Sequence, residues 1–362
     1  MSRYALPLVR TIIAALALAA TLAQGQTPPP AAAGQSDSYR DRAKAAAAVL
    51  HGWYDPERGT WRTTGWWNSA NALEAIVDYT AQTRDRTYLP DIANTFEKHQ
   101  AGHFLNKYYD DEGWWALAWV KAYDLTREPR YLDMAKAIFE DMKGGWDDTF
   151  GGGIWWSKDR KYKNAIANEL FFTLAARLHR RTPGDGGSGS YLEWAQKSWD
   201  WFAASGMINA QSLINDGLNS QGRNNGGTTW TYNQGVILGG LIDLYEITRK
   251  KAYLEQAQRT ADAAMHALSG ADGILVEPCE AKGDCGGDGP QFKGIFVRYL
   301  GQLYGQTHAR AYADFLRRNA DSAWTKDRNE AGQFGLRWAG PFDKADASRQ
   351  TVALDLFLAA AR

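Results

Sequence analysis

Along most of the chain, stretches of nearly continuous apolar and small residues alternate with stretches whose apolar positions recur every third or fourth residue. The first kind covers 70–80, 114–125, 164–178, 235–247 and 294–303. A helix that is apolar all round belongs in an interior, so these stretches predict inner helices. The second kind opens near a tyrosine, at Tyr88-Leu89, Tyr131-Leu132, Tyr191-Leu192, Tyr253-Leu254 and Tyr312-Ala313. It carries charges at surface spacing, as over 253–268. Short polar turns such as Thr126-Arg127-Glu128-Pro129 and Thr248-Arg249-Lys250-Lys251 join the two kinds. The tyrosine starts recur about every 43 to 62 residues, at the upper edge of helical repeats. With 41–50 at the beginning and 348–361 at the end, the pattern predicts about twelve helices and almost no strand.

Six inner helices ringed by six outer ones make an all-α (α/α)6 barrel. An open solenoid of helix pairs has the same local pattern. The unpaired first and last helices favour closure, since an outer helix at the beginning needs an inner one at the end. In a closed barrel the connections entering the inner helices gather at one end. Here they hold Trp66-Trp67, 108–115, Trp155-Trp156, 230–234 and 291–293, which predicts one site built of aromatic and polar groups.

Ahead of the barrel, residues 1–23 read as a secretory signal peptide. Arg3 and Arg10 form a short basic region ahead of an apolar run over 11–23 that is too short for a good membrane span, and Thr21 and Ala23 suit cleavage. Residues 24–38, rich in Pro and Ala, read as a flexible leader to a catalytic domain over 39–362. The expectation is an exported protein, periplasmic or secreted, with no stable membrane anchor. In that compartment Cys279 and Cys285, the two cysteines of the chain, predict a small loop-closing disulfide. Basic and acidic residues number 41 each, so nothing marks a nucleic-acid partner. No metal-ligand spacing and no nucleotide-binding glycine pattern stand out, so no metal or cofactor is expected, and a monomer is. Aromatic content does change the picture. The 16 Trp and 17 Tyr exceed what a core needs, because each buried indole N–H wants a partner, and their faces stack well on sugar rings.

The sharpest segment is Tyr108-Tyr109-Asp110-Asp111-Glu112-Gly113-Trp114-Trp115. Glycosidic cleavage needs two carboxyl groups, one to protonate the leaving oxygen and one to attack or to activate water. On an irregular turn before an inner helix, Asp110 and Asp111 could face one cleft together. Acidic residues at a helix start also cap free N–H groups and complement the dipole, which needs no aromatic neighbours.

Tyr109 to Glu112 followed by Trp114-Trp115 resembles the catalytic signature of glycoside hydrolase family 76, the endo-α-1,6-mannanases. Thr231-Tyr232-Asn233-Gln234-Gly235 is similar to its Tyr-Asn-Gln-Gly block. Gln291-Phe292-Lys293-Gly294-Ile295-Phe296, with Arg298 one turn on, is similar to its Phe-Lys-Gly block, and 164–169 resembles the start of its central helix. The resemblance implies retaining hydrolysis within α-1,6-mannan, with Asp110 as nucleophile and Asp111 as general acid/base. The charge of Asp110 is expected to raise the pKa of Asp111. Asn168, Glu169, Asn233 and Gln234 would bond sugar hydroxyls, with Lys293 and Arg298 as charged donors; Arg298 could instead brace a carboxylate. Asn71, Tyr109, Trp114, Trp115, Tyr232 and Phe292 join the substrate-facing set. Asp216 would reach a sugar from a Gly-rich loop or serve only as a turn residue. Trp66, Trp67, Trp155, Trp156 and Trp230 are each open to stacking on sugar or to core packing. The two cysteines just before the Phe-Lys-Gly block are similar to a fungal cell-wall branch, which leaves transglycosylation open beside hydrolysis. A non-catalytic glycan-binding protein and a sugar epimerase are the other readings, the latter leaning on histidines for proton transfer.

Overall fold

The two alternating patterns become twelve α-helices in the computed structural model, which describes residues 31–362, with side chains from Ser38 onward. They are α1 (Ala31–His51), α2 (Trp66–Thr83), α3 (Leu89–His99), α4 (Tyr109–Thr126), α5 (Pro129–Lys143) and α6 (Ala165–His179). The second half holds α7 (Tyr191–Ala204), α8 (Thr231–Thr248), α9 (Lys251–Ala267), α10 (Phe292–Thr307), α11 (Arg310–Lys326) and α12 (Ala347–Ala360). Strand among the described residues is limited to a hairpin of β1 (Tyr54–Asp55) with β2 (Thr60–Trp61) and isolated bridges. The signal peptide read over 1–23 lies outside the described residues. α1 begins at Ala31, so the later part of the stretch read as leader is helical.

The even-numbered helices form the inner ring. Each packs on the next, and α12 packs back on α2, which closes the barrel and excludes the open solenoid. An inner helix touches ring neighbours on two sides and an outer helix behind, so it has almost no solvent face. Every residue of α6 from Ala165 to Leu178 is accordingly buried. Outer helices bury one stripe only, as with Tyr253, Ala257, Thr260, Ala261 and Ala264 of α9.

Four of the five turns from an inner to an outer helix share one local device, the turn after α6 being the exception. Thr83, Thr126, Thr248 and Thr307 end α2, α4, α8 and α10, and each hydroxyl donates to the carbonyl four residues back, at 2.7–2.8 Å. The next residue, Arg84, Arg127, Arg249 or His308, stops the helix in the left-handed region, with φ of 54° to 64°. No Gly is used at these stops.

Close approach of α8 to α10 depends on Gly235. A Cβ there would lie 2.7 Å from the Phe296 Cα. Two inner-ring contacts are also tied electrostatically. Arg298 of α10 donates to Glu74 of α2 at 2.6 Å and to both carboxylate oxygens of Asp355 of α12 at 3.0 and 2.8 Å. These charges are almost wholly buried, where an unpaired partner would be costly. No helix among the described residues is long and apolar enough to cross a membrane.

Candidate active site

α2, α4 and α8 begin four or five residues earlier than the apolar pattern suggests, and their first turns contribute to the cleft. Asp110 and Asp111 occupy the first turn of α4, not an irregular turn before it. Acidic side chains suit that position because the free N–H groups and the dipole favour negative charge. Dipole complementarity and a place at the cleft therefore coincide for Asp110.

The cleft, of about 200 Å³, is lined by Trp67, Asp110, Trp114, Trp156, Tyr162, Asn164, Asp216, Tyr232, Asp288 and Phe292. Four rings make a continuous aromatic wall. Tyr232 and Phe292 stack at 4.0 Å, while Trp67 and Trp114 lie face to face at 5.7 Å. Trp156, 36% exposed, donates its indole N–H to Asp110 Oδ2 at 2.9 Å. Asp110 Oδ1 is buried and has no hydrogen-bond partner.

Asp111 is held from the other side. Asn106 Nδ2 donates to its Oδ2 at 2.6 Å. Asn106 is itself fixed, its backbone N–H donating to Glu112 Oε1 at 3.1 Å and its Oδ1 accepting from the Tyr108 N–H at 2.7 Å. Lys158 completes this support with ion pairs of 2.9 Å to both Glu112 and Asp141.

Burial lifts both catalytic candidates. Asp110 is raised well above the usual carboxylate range, first by burial and then by the charge of Asp111. Asp111 is raised to about 6, again first by burial, with the Asn106 bond opposing and Asp288 adding to the rise. The expectation that the Asp110 charge lifts Asp111 is thus corrected, because burial is the larger cause for both. The physical outcome is a pair that resists double ionisation and keeps one proton into the neutral range.

Each Trp-Trp pair splits. Adjacent helical residues point about 100° apart, so the two rings of Trp66-Trp67, and those of Trp114-Trp115, meet different surroundings. Trp67 and Trp114 face it. Trp66 and Trp115 instead pack on each other at 4.7 Å and on Phe104, in the layer toward the outer helices. In the connection before α6, Trp156 faces the cleft. Trp155 turns away, donating to Asp147 at 2.7 Å with the Lys163 ammonium over its ring.

Several polar candidates are braces, not cleft groups. Asn168 holds both the N–H and the carbonyl of Ile154, and Gln234 does the same for Ile214. A carboxamide offers one donor and one acceptor on the same side, so it pairs with a loop backbone as a strand would. Lys293 is fully buried and binds Glu280 at 2.7 Å and the Leu336 carbonyl at 2.6 Å. Asn71 accepts from Arg298 at 3.0 Å, and both belong to the buried network between α2, α10 and α12. Tyr109 is buried against Gly145, below the Lys158 ammonium. Glu169 and Asn233 are buried outside the lining with no side-chain partner, and burial raises the Glu169 carboxyl well above its usual range. Trp230 sets its ring edge against Phe292 at 5.5 Å.

Asp216 does line the cleft, held by the Tyr162 hydroxyl at 2.6 Å. Sequence reasoning missed Tyr162, Asn106 and Asp288 as site residues. Asp288 follows the Cys279–Cys285 disulfide and accepts from the Trp67 indole at 2.8 Å. Its signal was an Asp in a Cys- and Gly-rich loop just ahead of Phe292. The lining has three carboxylates, no histidine and no Lys or Arg. It suits a neutral glycan and disfavours both an acidic sugar and a histidine-based epimerase.

Comparison with known proteins agrees with this geometry. The model of the Glycosyl hydrolase family 76 matches residues 38–361. Mannan endo-1,6-alpha-mannosidase DCW1 of Eremothecium gossypii is 31% identical over 263 residues, which span 65% of this chain and 57% of the fungal protein. Mannan endo-1,6-alpha-mannosidase DFG5 of Candida albicans is 31% identical over 330 residues, covering 81% of this chain and 72% of the relative. Among solved structures, an inactive variant of an α-1,6-mannanase of Salegentibacter sp. HEL1_6, with two adjacent aspartates replaced by alanine, was captured with α-1,6-mannotetrose. It superposes with a TM-score of 0.80 at 26% identity, over 89% of this chain and 98% of that one. Dfg5 of Chaetomium thermophilum, in complex with glucosamine, superposes with a TM-score of 0.80 at 22% identity, over 90% of each chain, a likeness of fold.

Proposed function

The chain belongs to glycosyl hydrolase family 76, and from that premise we propose that it is an exported retaining glycosidase cutting α-1,6-mannosidic linkages in mannan. The observation that carries the reading is the Asp110-Asp111 pair at the head of α4, its one buried free oxygen facing an aromatic cleft. Export is supported by the signal-like residues 1–23 and by a disulfide, which persists in oxidising compartments.

Asp110 is the nucleophile. Trp156 occupies Oδ2, so Oδ1 is the oxygen left to attack the anomeric carbon. Asp111 is the general acid/base. Asn106 stabilises negative charge on its Oδ2, so the proton belongs on Oδ1. Burial favours the proton on Asp110 while the cleft is empty. A glycosidic oxygen accepting from Asp111, and positive charge growing on the sugar beside Asp110, reverse that preference. Asp111 then protonates the leaving oxygen as Asp110 bonds to carbon 1 and the C1–O bond breaks. In the second half Asp111 takes a proton from water, whose oxygen displaces Asp110 and restores the α configuration.

The aromatic wall stacks sugar rings, and Asp216 and Asp288 accept from their hydroxyls. The test is proton NMR of the first products from linear α-1,6-mannan. Short oligosaccharides appearing first as α-anomers are expected. First-formed β-anomers would overturn the retaining mechanism, and absence of release would overturn the substrate.

A further inference from the structure

We propose that the barrel end opposite the catalytic cleft holds a second binding site, one for a phosphate-class oxyanion. The carboxy-terminal ends of α4, α6, α8 and α10 meet there around a cavity of about 390 Å³, larger than the cleft. Asp110 at one end of α4 and Asp124 at the other are separated by about 20 Å of helix rise. The two sites are therefore distinct.

Three arginines come from the last turn of α6 and the two residues after it. Arg177, Arg180 and Arg181 all line the cavity, with Lys121 of α4 beside them. Each is paired with a carboxylate, and Asp124, Asp243 and Glu246 line the cavity with them. Arg177 Nε donates to Asp243 at 3.0 Å, and Arg180 Nη1 donates to Asp243 at 2.7 Å. Arg181 grips Asp124 through Nε at 2.8 Å and also through Nη2. Lys121 lies 2.7 Å from Glu74. Such pairing fixes the guanidinium planes before any ligand arrives, which is how a fork-shaped oxyanion site is preorganised.

A structural role explains part of this cluster. Cations near helix carboxy termini complement the dipole, which accounts for Arg180 and Arg181 just past α6. It does not account for Arg177. That residue is only 5% exposed, yet its Nη1 has no hydrogen-bond partner. A buried charged donor left unsatisfied is expensive, and a bound oxyanion supplies the missing acceptor. Arginine forks match phosphate oxygens in pairs, and the cations in the lining outnumber the carboxylates.

Two sources share this chemistry, free phosphate and a phosphate carried on a sugar. The experiment is calorimetric titration of the full chain with inorganic phosphate and with mannose 6-phosphate, at constant ionic strength, beside two variants. Gly305→Phe fills the cavity from α10, where a Cβ would meet nothing within 4 Å. Arg180→Ala removes a half-exposed guanidinium. Saturable binding at one site with Kd of about 1 mM or tighter is expected. Both variants should weaken it at least tenfold while leaving mannan hydrolysis at the wild-type rate. Stronger binding of the sugar phosphate would place the anion on a glycan, and equal binding would indicate the free ion; either supports the site. No saturable binding of either probe, or wild-type affinity in Gly305→Phe, would overturn it.

Discussion

Asp110 and Asp111 differ in their partners more than in their position. One accepts from an indole on a neighbouring connection, the other from a carboxamide on its own approach loop. Asn106 lowers the Asp111 pKa, so Asn106→Ala should raise it from about 6. The acidic limb of kcat/KM on mannan, where Asp111 gives up the first of the pair's two protons, should then move up by roughly half to one pH unit, the scale of one hydrogen bond. A limb that stays in place would show that Asn106 does not touch the acid. Asp110 also carries a stability cost. Its folded carboxyl titrates above its unfolded one, so the folded state is favoured at low pH. That advantage is lost as pH rises through the folded value. Asp110→Asn has no charge to bury. It should raise Tm by a few degrees at pH 8, with the gain shrinking toward pH 4. The importance of the aspartate pair was legible in sequence, because two carboxylates among aromatics exceed what capping requires. Asn106 was not, since nothing in Leu105-Asn106-Lys107 distinguishes a positioning amide from a turn residue.

First turns of the inner helices are the elements that make the site. Periodicity located the helices but started them several residues late, because Trp66-Trp67 and Asp110-Asp111 look like loop chemistry and are helix. That shift decides the tryptophans. Trp66-Trp67 and Trp114-Trp115 are helical, so the two rings of each pair point about 100° apart and one of them packs away from the cleft. Trp66→Ala and Trp115→Ala should lower unfolding free energy by about 3–5 kcal/mol in denaturant titrations, as for large core truncations. Trp67→Ala and Trp156→Ala should instead lower kcat/KM on mannan about tenfold or more, with little change in denaturation midpoint. The opposite assignment would put the wrong rings in the cleft. Carboxamides were misread for a related reason. Asn168 and Gln234 have the chemistry of sugar ligands, but each sits one turn inside its helix, where the nearest partner is a returning loop backbone.

Closure of the whole molecule could be argued from the parity of its elements, an outer helix first and an inner helix last. What ties the ring could not. Arg298 and Glu74 lie 224 positions apart in sequence and meet only because α2, α10 and α12 converge. Arg298→Leu should cost about 3–5 kcal/mol in thermal or denaturant unfolding, because Asp355 is left buried and unpaired while Glu74 keeps only Lys121. A loss under 1 kcal/mol would mean the ring does not depend on it. Arg298, Glu74 and Asp355 thus hold the ring, while Trp67, Trp114, Tyr232 and Phe292 wall the cleft beside Asp110. The most direct test of that account is oligosaccharide release from linear α-1,6-mannan by wild type, Asp110→Asn and Asp111→Asn, each first shown to be folded by circular dichroism. The account predicts steady release by wild type and a loss of about a hundredfold or more in both variants. Folded variants that keep wild-type rates would contradict it.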